Sequence, residues 1–165
     1  MLSPRTLERA AALIALLRQR RLTVATAESC TGGLIAAALT AVPGSSDTVL
    51  AGFVTYSNDA KAAMLGVDPA LIAAEGAVSE AVARAMAAGA LSRSGADLAV
   101  SVTGIAGPGG ATPTKPVGLV HLAIAERGGT TYAEHHIFPG DRAEVRAASV
   151  EAAFDLLAQL AEDTR

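Results

Sequence analysis

The sequence predicts an α/β protein, a three-layer α/β/α sandwich around a mixed, mostly parallel sheet of about five strands. Three observations lead there. Over the first hundred residues short β-type runs alternate with helical stripes, the pattern of parallel strands joined by crossover helices. Two later β-type runs flank Arg127-Gly128-Gly129, a hairpin signal that adds an antiparallel pair. The chain of 165 residues has no internal repeat and no interdomain linker, so it is read as one domain, residues 1–165, with room for a substantial core.

The elements follow in order. Leu7, Ala10, Ala11, Ile14 and Leu17 make a helical stripe over 3–19, begun by Ser3-Pro4, where Ser caps and Pro starts a helix. Residues 22–27 read as the first strand. A helix over about 32–41 stops at Pro43-Gly44. Residues 48–55 form the second strand, and Ser57-Asn58-Asp59 then caps a short helix to Leu65, closed by Gly66. Asp68-Pro69 opens another short helix to Ala74. Ser79 caps an alanine-rich helix from 80 to about 92, which Gly95 ends. Residues 97–103 form a buried third strand, and 118–126 and 130–138 are the hairpin strands. The last helix runs from Asp141 to about Leu160, with Asp141 and Glu144 as a capping box.

Composition narrows the function classes. With 51% apolar and 18% charged residues the chain is globular rather than disordered. Much of the apolar share is alanine and only 3% is aromatic, which predicts a thin core with helices close to the sheet. That core and an exposed first helix point to a homodimer. A net charge of −3, a pI near 5.6 and no long basic run argue against nucleic-acid binding. No apolar run approaches the roughly 20 residues that span a bilayer, so no membrane partner is expected. The arginine-bearing amphipathic start is not a signal peptide, and a single cysteine suits a reducing cytoplasm.

Three polar motifs follow the three predicted parallel strands: Glu28-Ser29-Cys30-Thr31-Gly32-Gly33, Tyr56-Ser57-Asn58-Asp59-Ala60-Lys61, and Thr103-Gly104-Ile105-Ala106-Gly107-Pro108. The carboxyl ends of parallel strands share one sheet edge, where ligands bind. Ser29 stands on a sharp strand-to-helix turn beside free backbone N–H groups, which suits a nucleophile with an oxyanion site. The same residues also suit a plain helix start, with Ser29 and Thr31 as caps and the glycines permitting the turn.

Tyr56 and Lys61 are the candidate proton handlers. Lys61 falls in the first turn of its helix, where the dipole disfavours a cation, so a buried amine there has a lowered pKa. The alternative is a solvated lysine and a strand-end tyrosine. His121, and the neighbours His135 and His136 on opposite sheet faces, form neither a triad nor a metal-ligand spacing. A serine enzyme here needs another base, which favours Lys61. Cys30, the rival nucleophile, points away from Ser29 and into the core.

The loop 104–118 carries five glycines and three prolines and is not a Walker A loop. Its glycines allow close approach to a ligand and its prolines stiffen it. Arg142 and Arg146 share one face of the last helix near its start and, with free N–H groups, make a phosphate site. Pairing with Asp141, Glu144 or Glu151 is the equal alternative.

Together these segments resemble the CinA carboxy-terminal domain family, the nicotinamide-mononucleotide amidohydrolases. The family pattern reads here as Ala27-Glu-Ser-Cys-Thr-Gly-Gly33, Thr55-Tyr-Ser-Asn58 with Lys61, Val78-Ser79, Thr103-Gly-Ile-Ala-Gly-Pro108, Lys115-Pro-Val-Gly118 and Gly140-Asp-Arg142 with Arg146. The resemblance runs from about residue 5 to 160. It implies hydrolysis of the carboxamide of a small nucleotide, nicotinamide mononucleotide, in pyridine-nucleotide salvage, with no metal and no other cofactor. Ser29 is then the nucleophile, activated by Tyr56 and Lys61. Glu28, Cys30, Thr31, Gly32, Gly33, Asn58, Thr103, Gly104 and Gly107 would line the substrate, and Arg142 and Arg146 its 5′-phosphate, in their own or a neighbouring subunit's site. Fused relatives carry an additional amino-terminal domain, so the expectation is the stand-alone form. Pro108–Lys115 departs from the family, which often has a further glycine and an acidic residue before the lysine. The competing readings are a non-catalytic nucleotide-binding module tied to competence or DNA damage, and an amidase for a non-nucleotide amide.

Overall fold

The fold is that of a computed structural model, described over residues 2–163. Helix α1 (Pro4–Arg20) leads into strand β1 (Val24–Glu28), helix α2 (Leu34–Thr40), a 3-10 turn (Ser45–Asp47) and strand β2 (Val49–Val54). Helices α3 (Asn58–Leu65), α4 (Pro69–Glu75) and α5 (Glu80–Ser94) precede strand β3 (Leu98–Gly104). Strands β4 (Leu119–Glu126) and β5 (Thr131–Ile137) then form the hairpin, and α6 (Arg142–Asp163) ends the described chain. The predicted caps at Ser3, Ser57, Asp68 and Ser79 each accept a hydrogen bond from a backbone N–H of the following turn. The 3-10 turn is the one described element that the sequence reading did not anticipate.

The five strands lie in the order β2-β1-β3-β4-β5. β2, β1 and β3 pair parallel, while β4 is antiparallel to both of its neighbours. Four of the five strands therefore run the same way. The mixed, mostly parallel sheet and the helix layers on both of its faces agree with the predicted sandwich.

The two sides of the sheet are packed differently. On one, Val24, Leu98, Val100, Val102, Val120, Leu122 and Ile124 meet α1, α2 and α6 in a core that includes Ile14, Leu17, Ile35, Phe154 and Leu157. Each of these large side chains gains roughly 1.5–3 kcal/mol from burial. On the other side alternate strand residues are alanines, Ala25, Ala27, Ala99, Ala123 and Ala125, packed against α3, α4 and α5. The expected thin, alanine-rich core is thus confined to one layer. There α5 lies so close to α3 that a Cβ on Gly89 would stand 2.1 Å from the Leu65 carbonyl oxygen.

The chain leaves β1 toward β2 and leaves β3 toward β4, in opposite directions along the sheet. That divergence opens a crevice beyond the carboxyl ends of the parallel strands. Because β4 runs downward from that edge and β5 returns to it, the loop 105–118 and the start of α6 lie on the same edge as the Ser29 turn.

Candidate active site

Ser29 follows β1 directly. Its N–H donates to the Val102 carbonyl (2.9 Å), so β3 holds the residue at the strand's end. The chain then turns, and the Gly32 N–H returns to the Ser29 carbonyl (3.0 Å). Gly32 and Gly33 have φ of +60° and +98°, a region that side chains disfavour, which accounts for the paired glycines.

Lys61 lies one turn into α3 and is 1% exposed. Its Nζ stands 3.0 Å from Ser29 Oγ and 2.9 Å from the Thr55 carbonyl oxygen. Burial pushes its pKa below the ordinary 10.5. An ammonium has three protons to place and finds two acceptors here, whereas a neutral amine donates to Thr55 and offers its lone pair to the Ser29 hydroxyl. Thr55 was not singled out as a site residue; the signal was its position as the last residue of the second strand run.

Tyr56 does not join this pair. It is 61% exposed, and its hydroxyl accepts a hydrogen bond from Arg142 Nη2 (2.8 Å). Strand alternation turns it away from its buried neighbour Thr55, and Ser29 and Lys61 meet directly. Arg142 also donates from Nη1 to the Gly107 carbonyl (2.9 Å), bridging the loop 105–118 to the end of β2. Asn58 is exposed at the first residue of α3.

Several residues expected to line the substrate make structural contacts. Glu28 is 1% exposed, and its carboxylate accepts the N–H groups of Gly33 (3.1 Å), Ile35 (3.0 Å) and Ala36 (2.8 Å), so it caps α2. The Thr103 hydroxyl donates to the Ala77 carbonyl (2.8 Å) and is buried. Gly104 sits in the β3–β4 ladder, where a Cβ would come within 2.9 Å of the Leu119 carbonyl oxygen; its smallness serves strand packing. Cys30 packs into the core, as expected, and burial pushes its thiol up to about 11, which removes it as a nucleophile. The amides of Gly32 and Gly33 are engaged by Ser29 and Glu28, and among the described residues those of Cys30 and Thr31 donate to no other residue, the Cys30 N–H meeting its own thiol.

Arg146 donates from Nε to the Cys30 carbonyl (3.2 Å) and from Nη2 to the Thr31 carbonyl (3.1 Å). Neither Arg142 nor Arg146 pairs with the acids once considered. Glu144 accepts the Asp141 N–H, the Asp141 carboxylate accepts those of Ala143 and Glu144, and Glu151 meets Thr6 and Arg9. At the start of α6 the N–H groups of Ala143, Glu144 and Val145 are therefore occupied by Asp141. Together with Ala106, Pro108 and Val117 the two arginines line a cleft of about 670 Å³.

The histidines are distributed as expected. His121 meets His135 on one face (5.4 Å between ring centres), and His136 stacks on Phe138 on the other, bonding Glu134. Among the described residues no helix is long and apolar enough to cross a membrane.

The CinA C-terminal domain profile matches residues 6–161. The chain belongs to the CinA C-terminal domain family. Within it, a CinA-like protein of Mycolicibacterium gilvum is 60% identical over 135 residues, covering 82% of this chain and 32% of that one. A CinA-like protein of Chlorobaculum tepidum is 64% identical over 115 residues, 70% of this chain and 27% of that one. The chain thus spans about a third of the length of these curated relatives. Its fold is similar to the competence/damage inducible protein CihA of Agrobacterium tumefaciens, at TM-score 0.93 and 49% identity, over 97% of this chain and 98% of that one. A CinA superfamily protein of Escherichia coli aligns at TM-score 0.90 and 37% identity, over 97% and 94%.

Proposed function

We propose that this CinA-family chain is a serine amidase that hydrolyses the carboxamide of nicotinamide mononucleotide to nicotinate mononucleotide and ammonia. One observation carries the reading: a buried lysine whose amine is biased toward neutrality stands 3.0 Å from a serine hydroxyl at a sheet edge.

The Ser29 hydroxyl gives its proton to Lys61 as Oγ bonds to the amide carbon. The oxyanion is held by the N–H groups of Cys30 and Thr31, each worth about 3–4 kcal/mol in comparable sites. Lys61, now an ammonium, passes its proton to the leaving nitrogen, and ammonia departs from the acyl-enzyme. Water then attacks the ester, giving its proton to Lys61, and as the intermediate collapses the Lys61 ammonium returns that proton to the leaving Oγ, restoring the neutral amine and the serine hydroxyl. Every step balances with the groups of this chain and water. The nucleotide reading is supported by the cleft beside the turn, whose two guanidinium groups lack carboxylate partners and suit a 5′-phosphate.

The test is ammonia release from nicotinamide mononucleotide by the purified chain and by Ser29→Ala. Loss of at least about 10³-fold is expected on removing the nucleophile. Release by Ser29→Ala at the native rate ends the proposal. Tight mononucleotide binding without ammonia release from the native chain makes it a nucleotide-binding module instead.

A further inference from the structure

We infer that Arg146 is a positioning residue for the oxyanion-holding amides of the Ser29 turn, an inference that rests on the serine-nucleophile reading above. The turn from Ser29 to Gly32 has two middle residues, Cys30 and Thr31. In such a turn the first residue's hydroxyl lies on the side of the N–H two residues on, here that of Thr31. A negatively charged oxygen formed on a carbon bonded to Ser29 Oγ then lies within reach of the Thr31 N–H, with the Cys30 N–H beside it.

What aims the Thr31 N–H is the peptide plane between Cys30 and Thr31. In a trans peptide the C=O and N–H point in opposite directions, so fixing one fixes the other. The Thr31 N–H donates to no protein acceptor, and among the described residues the Cys30 carbonyl is held by one group, Arg146 Nε at 3.2 Å. The next carbonyl, that of Thr31, is shared between the Leu34 N–H (3.2 Å) and Arg146 Nη2 (3.1 Å). Arg146 thus grips two successive carbonyls of the turn. Its rigid, forked guanidinium suits that task, whereas a lysine ammonium is a single, mobile point. Without this grip the plane between Cys30 and Thr31 is free to rotate, which swings a carbonyl oxygen toward the place where negative charge develops.

The test uses diisopropyl fluorophosphate, a neutral probe that offers the arginines no anionic phosphate. Ser29 Oγ bonds to phosphorus, fluoride leaves, and the hydroxyl proton passes to Lys61. Labelling of the full chain is followed by intact mass, with Ser29→Ala marking the site. Arg146→Met is expected to label about 100-fold more slowly and Arg146→Lys about tenfold more slowly. The labelling pH midpoint, set by Lys61, stays at its native value in both. With nicotinamide mononucleotide, kcat falls as well as affinity.

Native-rate labelling of Arg146→Met overturns the inference, as does a native protein that is not labelled at Ser29. So does a defect confined to KM for the nucleotide, which would make Arg146 a phosphate ligand alone. If Arg146→Met fails to fold, the Arg146→Lys rate and pH midpoint carry the same decision. Arginine-dependent labelling without ammonia release would remove the nucleotide-amidase reading and leave this inference standing.

Discussion

Lys61 is a costly residue to bury. Its amine is inside the protein with a hydroxyl and a carbonyl for company, and burial holds its pKa below the ordinary 10.5. A folded-state pKa below the unfolded one means that folding releases a proton between the two values. Stability therefore rises with pH across that window and is reduced below it. Lys61→Met, which fills much of the same space without a charge, should raise the melting temperature by a few degrees at neutral pH, read by calorimetry. The same variant should release no ammonia. In the native protein turnover should rise with pH as Lys61 deprotonates, and a rate that instead falls as pH rises through the Lys61 titration would contradict a neutral lysine base.

At the scale of elements, α3 brings Lys61 to β1 and α5 holds α3 in place. The contact that sets their spacing is Gly89 against the Leu65 carbonyl. Gly89→Ala should force the helices apart at a cost of about 3 kcal/mol, measured by urea unfolding. Because α3 carries Lys61, kcat should also fall. The turn and α2 teach a different lesson about what a sequence discloses. Ser29, the paired glycines and the caps were legible because each rests on local backbone rules. The role of Glu28 was not: a carboxylate after a strand reads equally as a ligand or a cap, and its partners, five to eight residues on, converge only once α2 folds back. Tyr56 was grouped with Lys61 by proximity in sequence, and its distance from the Ser29–Lys61 pair was not legible, because the extended backbone after β2 turns the two neighbours Thr55 and Tyr56 to opposite sides, one buried and one exposed.

For the whole molecule, the alternation of strands and helices made the sheet readable, and hence the edge where Ser29, Lys61 and the loop 105–118 meet. The arginine contacts were not readable, because Arg146 lies more than a hundred residues from the carbonyls it holds. The opposite sheet edge has its own lock. Burial alone would raise the Asp97 pKa, but the hydroxyl and N–H of Thr23, with Arg127 beyond, lower it overall. A carboxylate lowered on folding stabilises above its unfolded pKa, and that contribution disappears as pH falls through the folded value. Asp97→Ala should lose about 2 kcal/mol at pH 7 and flatten the acid limb of the stability profile, with kcat unchanged.

The polarity of the sheet has a practical sequel. The tip between β4 and β5 lies at the end of the molecule remote from the reacting groups, and Gly128 there has nothing within reach of an added side chain. A foreign peptide, such as an epitope or a tether to a support, spliced after Gly128 should be carried as cargo. Turnover by the grafted protein should match that of the parent, so the chain doubles as a two-ended scaffold with its chemistry at one pole and a free handle at the other.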